Sequence, residues 1–112
     1  MKVVGYAGSR SAFSKSICLG EKLKTMLREK NIEMELYTAR NNVVEECRGC
    51  GKCFDEGLCP QDQEDSMEYI RKKILEADLI VLLSPVYLNN VSGAMKTFLD
   101  RIGSWVHTLR KR

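Results

Sequence analysis

Lys2-Val3-Val4-Gly5-Tyr6-Ala7 opens the chain as a short apolar run that stops at Gly8, the pattern of a buried strand. It runs straight into Gly8-Ser9-Arg10-Ser11-Ala12-Phe13-Ser14-Lys15-Ser16, a stretch rich in hydroxyls and positive charge. A helix follows, with Leu19, Leu23, Met26 and Leu27 on one face. Strand, polar turn and helix N-terminus in that order predict an α/β unit with an anion site at the turn. Unpaired backbone N–H groups and the helix dipole favour phosphate there, and the serine hydroxyls with Arg10 or Lys15 add donors. The plainer alternative is ordinary helix capping by Ser14 or Ser16. The turn is neither a Walker loop nor a GxGxxG fingerprint. Cys18, inside this helix, is expected to be a small buried packing residue.

The remaining chain repeats the alternation. Glu33 to Tyr37 alternates apolar and polar residues and predicts a second strand, with Ile32, Met34 and Leu36 on one side. Residues 38–64 form a long connection. Asp65 or Ser66 then caps a helix carrying Met67, Ile70, Ile74 and Ala77 at helical spacing. Leu79-Ile80-Val81-Leu82-Leu83 is a continuous apolar strand of the kind a parallel sheet buries on both faces. After the loop Ser84–Gly93 a last helix aligns Ala94, Phe98, Ile102, Trp105, Val106 and Leu109. The order β-α-β-loop-α-β-α implies parallel strands joined by crossovers. Three loops then leave the carboxyl ends of strands, the edge where open α/β sheets bind ligands. In the last of them Pro85, Tyr87, Asn89 and Asn90 offer an aromatic surface and amide hydrogen bonds suited to a planar heteroaromatic ring. A half-buried structural tyrosine is the alternative for Tyr87.

The long connection concentrates the thiols. Four of the five cysteines, Cys47, Cys50, Cys53 and Cys59, fall within thirteen residues as C-x2-C-x2-C-x5-C, followed by Pro60. Two-residue gaps let successive thiolates turn toward one centre, and Gly49, Gly51 and Gly57 relax the backbone around it. Clustered thiolates repel unless they share a cation. The tight run with a trailing Cys-Pro is nearer to iron–sulfur than to zinc spacing, since a zinc ribbon more often shows two separated C-x2-C pairs. Zinc and a reduced, metal-free thiol loop stay open as alternatives.

Length and composition set the outer bounds. A chain of 112 residues makes one small domain. Its 44% hydrophobic and 29% charged residues are ordinary for a globular protein. Part of the formal charge of +3 sits in the terminal Arg110-Lys111-Arg112, and no basic stripe interleaves with aromatics, which argues against nucleic acid as a partner. No apolar run is long enough to span a bilayer, and no long apolar core of a signal peptide opens the chain. Cysteines without an export signal predict a reducing, cytoplasmic setting.

Taken together, Gly8-Ser9 through Ser16, the Cys47–Cys59 block, and Ser84-Pro85-Val86-Tyr87 through Lys96-Thr97-Phe98-Leu99-Asp100-Arg101 resemble the NADPH-dependent FMN reductase superfamily of flavodoxin-like proteins. The cysteine block brings the chain nearest to the iron–sulfur flavoproteins within it. The resemblance implies a flavodoxin-like three-layer sandwich, non-covalent FMN, NAD(P)H as electron donor and homo-oligomeric assembly. It places the FMN phosphate on Ser9, Arg10 or Ser11, Ser14 and Ser16. It lays the isoalloxazine ring along Pro85, Val86, Tyr87, Asn90, Ser92 and Gly93, and gives a 4Fe-4S cluster the ligands Cys47, Cys50, Cys53 and Cys59. The phosphate loop reads Gly-Ser-Arg-Ser where the family often has Gly-Ser-Pro-Arg, which leaves the basic contact open. A flavodoxin-like sheet has five strands in the order 2-1-3-4-5. This sequence supplies three, ordered 2-1-3, so the expectation is one domain over 1–112, incomplete at its C-terminus, with an unpaired edge on the third strand.

The implied function is that of an FMN-dependent oxidoreductase or electron carrier, passing electrons to a small molecule or a redox protein. No acid–base or nucleophilic constellation competes with it. His107, the only histidine, is expected on the surface of the last helix. A different class, a non-catalytic metal- or cluster-binding module without flavin, is the alternative.

Overall fold

Val3 through Ala7 form the buried heart of strand β1 (Lys2–Ala7). The computed structural model describes residues 1–103. Trp105, Val106, His107 and Leu109 lie outside the described residues. Helix α1 (Lys15–Arg28) follows β1 and leads to strand β2 (Glu33–Thr38). The long connection contains a short helix, α2 (Lys52–Glu56), and a 3-10 turn, Pro60–Glu64. Helix α3 (Met67–Glu76), strand β3 (Leu79–Leu83), the two-residue strands β4 (Val86–Tyr87) and β5 (Asn90–Val91), and helix α4 (Gly93–Ile102) complete the order.

The main sheet is parallel throughout and ordered β2-β1-β3. The central position of β1 explains its apolar sequence, since both of its edges and both of its faces are covered. On one face lies α1. Its closest approach is at Gly20, where a Cβ would sit 2.9 Å from Leu36 and 3.0 Å from Leu83. On the other face Val4 and Tyr6 pack with Met67, Ile70 and Ile74 of α3 and with Met95 and Phe98 of α4. Tyr6 and Phe98 stack with ring centroids 3.9 Å apart and planes 8° apart. Burying a side chain of Phe98's size contributes about 1.5–3 kcal/mol. Burial also pushes the Tyr6 hydroxyl up to about 12, with Arg10 lowering and Asp65 raising it to a smaller degree.

Helix α1 departs from expectation in detail. Its buried stripe is centred on Gly20, with Leu23 and Leu27 half-buried, whereas Leu19 and Met26 are exposed. Cys18 is likewise exposed, not a packing residue, because it lies on the side of α1 turned away from the sheet. At the other end of the sheet β3 pairs only with β1 among the described residues, so one edge of the sheet is open. Leu79 and Leu82 remain 49% and 46% exposed there. No described helix is long and apolar enough to cross a membrane.

Candidate functional site

All three strand-end loops leave the same edge of the sheet, and hydrogen bonds fasten two of them together. The Gly8 amide donates to Leu83 O at 2.8 Å. Ser92, buried at the N-cap of α4, donates its hydroxyl to Gly8 O at 2.5 Å and accepts from the Met95 amide at 3.0 Å. Ser84 Oγ accepts from the Ser92 amide at 3.0 Å. Gly8 is required at this junction. A Cβ on it would lie 2.7 Å from the Met95 Cβ and 2.9 Å from its backbone nitrogen, so the first loop is pressed against the start of α4.

The first loop is built from serine turns. Ser9 Oγ accepts from the Ser11 amide at 3.3 Å, Ser11 Oγ from Phe13 at 3.2 Å, and Ser14 Oγ from Ile17 at 3.2 Å as the N-cap of α1. Each hydroxyl hydrogen is left for another acceptor. Capping and anion binding are therefore compatible at Ser14. The first turn of α1 has no acidic residue, although helices favour negative charge there. Ser9 is buried, Arg10 and Ser11 are exposed, and Ser16 is half-buried. Hydroxyl donors, a helix N-terminus and Arg10 form a donor set that fits a phosphate group.

The Ser84–Gly93 segment is a hairpin, not an open loop. Val86 pairs with Val91 and Tyr87 with Asn90 in antiparallel register. The two turn residues, Leu88 and Asn89, have φ of 49° and 61°. Positive φ at both positions is the turn that matches strand twist. Tyr87 is 56% exposed and Val86 more so, while Pro85 is half-buried. The hairpin thus presents an apolar and aromatic face beside the serine loop, with Asn90 exposed and Gly93 at the helix start. Ser92 contributes differently from its neighbours, because its hydroxyl is committed to the protein backbone.

The cysteine loop stands next to both. A cleft of about 590 Å³ is lined by Arg10 from the first loop, Val44, Glu45, Glu46 and Arg48 from the cysteine segment, and Gly93, Ala94 and Thr97 from α4. Within the cysteine segment Gly49, Gly51 and Gly57 all have positive φ, and the last two bracket α2. All four thiols of this loop are free, Cys47 and Cys50 exposed and Cys53 and Cys59 half-buried. Among the described residues no three Cys, His, Asp or Glu side chains stand close enough to hold a metal ion. Cys47, Cys50, Cys53 and Cys59 are an all-thiolate set of the kind an iron–sulfur cluster takes, and the structure does not bring their four sulfurs together.

Below the cysteine loop lies a charged network that the sequence did not announce. Arg101, fully buried at the end of α4, donates to Asp65 Oδ2 at 2.6 Å, Asp62 Oδ1 at 2.8 Å and Glu45 O at 3.0 Å. Arg71 adds bonds to Asp62 Oδ2 at 2.5 Å and to Arg101 O at 2.8 Å. Burial raises the Asp65 carboxyl, but hydrogen bonds from Arg101 and from the Glu45 and Met67 amides outweigh it and hold the group below the usual carboxylate range. Burial pulls Arg101 down, and its bonds to Asp65 and Asp62 more than restore it, leaving it above its ordinary value. One signal was available: Arg101 falls three residues after Phe98, on the apolar stripe of α4, where a charge has to be paired.

The profile of the NADPH-dependent FMN reductase family matches residues 1–111. An iron-sulfur flavoprotein of Methanocaldococcus jannaschii is 37% identical over 101 residues, covering 90% of this chain and 51% of that protein. Another, from Archaeoglobus fulgidus, is 33% identical over 107 residues, covering 96% of this chain and 48% of its own. The chain spans about half the length of these curated relatives. Among solved structures, RosB with a bound 8-demethyl-8-formylriboflavin-5'-phosphate intermediate superposes with a TM-score of 0.71 at 20% identity, over 92% of this chain and 42% of that one. At that identity the match speaks to the fold alone.

Proposed function

The chain belongs to the NADPH-dependent FMN reductase family, and on that premise we propose that it serves an FMN-dependent oxidoreductase that passes electrons between NAD(P)H and a small molecule or redox protein. The observation that carries this reading is the fastening of the serine loop to the hairpin segment through Gly8, Ser84 and Ser92. It sets phosphate donors and an apolar, aromatic face side by side at one sheet edge, as a molecule with a phosphate at one end and a flat ring at the other requires. In this reading Ser9, Arg10, Ser11, Ser14 and Ser16 hold the phosphate. Pro85, Val86, Tyr87, Asn90 and Gly93 flank the ring, and Ser92 keeps that segment in place from beneath.

Bound FMN would supply the exchange of electrons, in pairs with a nicotinamide and singly with a metal centre. The protein's own part is to bind, orient and shield it. Cys47, Cys50, Cys53 and Cys59 would ligate a 4Fe-4S cluster, in keeping with the names of the relatives quoted above and with the C-x2-C-x2-C run. Free thiols suit a reducing cytoplasm. The test is an FMN titration of the anaerobic protein, followed by flavin fluorescence. Ser9→Ala and Tyr87→Ala should each weaken binding, the former by about 1–3 kcal/mol for one charge-assisted contact. Affinity unchanged in both variants would place the flavin elsewhere. A colourless protein carrying stoichiometric zinc would favour the non-catalytic module instead.

A further inference from the structure

The ends of the cysteine loop are held together by one side chain that is not a cysteine. Gln61 stands two residues after Cys59 and is only 4% exposed, in a stretch where most neighbours face solvent. Its Nε2 donates to Glu46 O at 2.8 Å and its Oε1 accepts from the Arg48 amide at 2.9 Å. Those two backbone groups flank Cys47. The amide therefore binds the chain on both sides of the first cysteine and ties it to the residue pair that follows the last one. A carboxylate at this position cannot donate to Glu46 O, and an apolar residue can do neither.

Below Gln61 the same two stems are joined again. The Glu45 amide donates to Asp65 Oδ2 at 2.9 Å and the Ser66 amide to Val43 O at 3.0 Å. Arg101 reaches both stems at once, through Glu45 O on one and Asp62 and Asp65 on the other. The mouth of the loop is thus closed by bonds that range from part-buried to exposed, while the thiols above it are at least partly open to solvent.

We propose that Gln61 is a positioning residue for the cluster site: it locks the Cys47 end of the loop against the Cys59 end. Thirteen residues with free ends would have to be closed and ordered as the metal is bound, and four thiolates resist being brought together. With the mouth already fastened, closure is done in advance, and only the glycine-jointed segment between must fold over. This inference rests on the cluster reading above. It adds a residue whose effect is on metal retention and not on flavin.

The experiment compares the wild-type chain with Gln61→Glu, which keeps the acceptor and loses the donor, and Gln61→Met, which loses both. Glu64→Gln, which removes only the exposed Arg48–Glu64 ion pair spanning the same loop, serves as control. Each protein is reconstituted anaerobically with iron and sulfide. Iron release to a ferrous chelator is then timed by the loss of visible absorbance, and a thermal melt reports on folding. Hydrogen exchange of the Arg48 amide in the metal-free protein gives a readout independent of the cluster. The expected result is release on the order of 10–100-fold faster in both Gln61 variants, with the control unchanged and the melt lowered by only a few degrees. Arg48 protection should be lost in Gln61→Met and kept in Gln61→Glu, whose carboxylate still accepts from that amide. Wild-type release rates in both variants, or an Arg48 amide that exchanges freely in the wild type, would overturn the inference alone. A wild type that takes up no iron while Arg48 stays protected would defeat the cluster reading, and this role with it.

Discussion

Asp65 shows how one residue links the fold to the site. It caps α3 through the Met67 amide, steadies Glu45 at the root of the cysteine loop, and pairs with Arg101. Its carboxyl is held below the usual range in the folded protein, the net result of those bonds overcoming burial. A depressed carboxyl pKa contributes stability that is fully present above the unfolded value, near 3.9, and is lost as the pH falls through the folded value. Folding should therefore weaken on the acid side. Asp65→Asn removes the charge that Arg101 needs and should cost on the order of 3 kcal/mol at neutral pH, with Asp62 left as a partial substitute. The gap between wild type and variant in urea unfolding should hold steady from pH 7 to about 5 and then narrow as the pH falls through about 4 toward about 2. A gap that stays constant would mean that Asp65 contributes through packing alone.

At the scale of elements, the strands and long helices were legible because their signals are local. The apolar runs Lys2–Ala7 and Leu79–Leu83 are strands, and Met67, Ile70 and Ile74 face the core of α3 as their spacing predicted. The misses have physical reasons. Two-residue strands are too short to show alternation, and the β4–β5 turn is Leu88-Asn89, without the glycine that usually marks such a turn. Helix α2 has only five residues, and the glycines at its two ends read equally well as joints of a cysteine loop. Buried Arg101 and Gln61 act through partners far away in sequence, which no local pattern encodes. Of the candidate site, the sequence showed which loops meet but not what fastens them. Leu88 offers a direct check of the hairpin. It is fully exposed, yet holds a left-handed backbone that costs a side-chain-bearing residue about 1–2 kcal/mol. Leu88→Gly relieves that strain without removing a buried contact, although it also makes the unfolded chain more flexible. The expected net gain is a few tenths to about 1 kcal/mol, read as a higher urea midpoint with an unchanged slope. A loss of stability would show that the turn does not adopt this geometry in solution.

For the molecule as a whole, the distribution of apolar surface is uneven. One edge of the sheet, β2, ends the layer with Glu33 and Glu35 exposed along it. The other, β3, exposes Leu79 and Leu82 and has no strand beyond it among the described residues. The apolar face of the hairpin adds Val86, Tyr87 and Leu88 after the same strand. An edge strand without charge, proline or a covering element is a template for pairing with another chain. The acidic side chains of β2 blunt its edge, and nothing comparable occurs in Leu79-Ile80-Val81-Leu82-Leu83. The chain of 112 residues should therefore self-associate through β3 at micromolar concentration and above. Sedimentation velocity would register this as a weight-average mass that rises with concentration. Leu82→Lys places a charge on the half-exposed position while leaving the buried contacts of β1 untouched, so it should shift the protein toward monomer with little change in its melt. Adding flavin should have a smaller effect, because the serine loop and hairpin sit at the end of the sheet and not along its side. A wild-type chain that stays monomeric and melts cooperatively across a hundredfold range of concentration would show that the open edge is not sticky. Association that survives Leu82→Lys would move the contact to another surface, with the exposed Leu19 and Met26 of α1 the next to test.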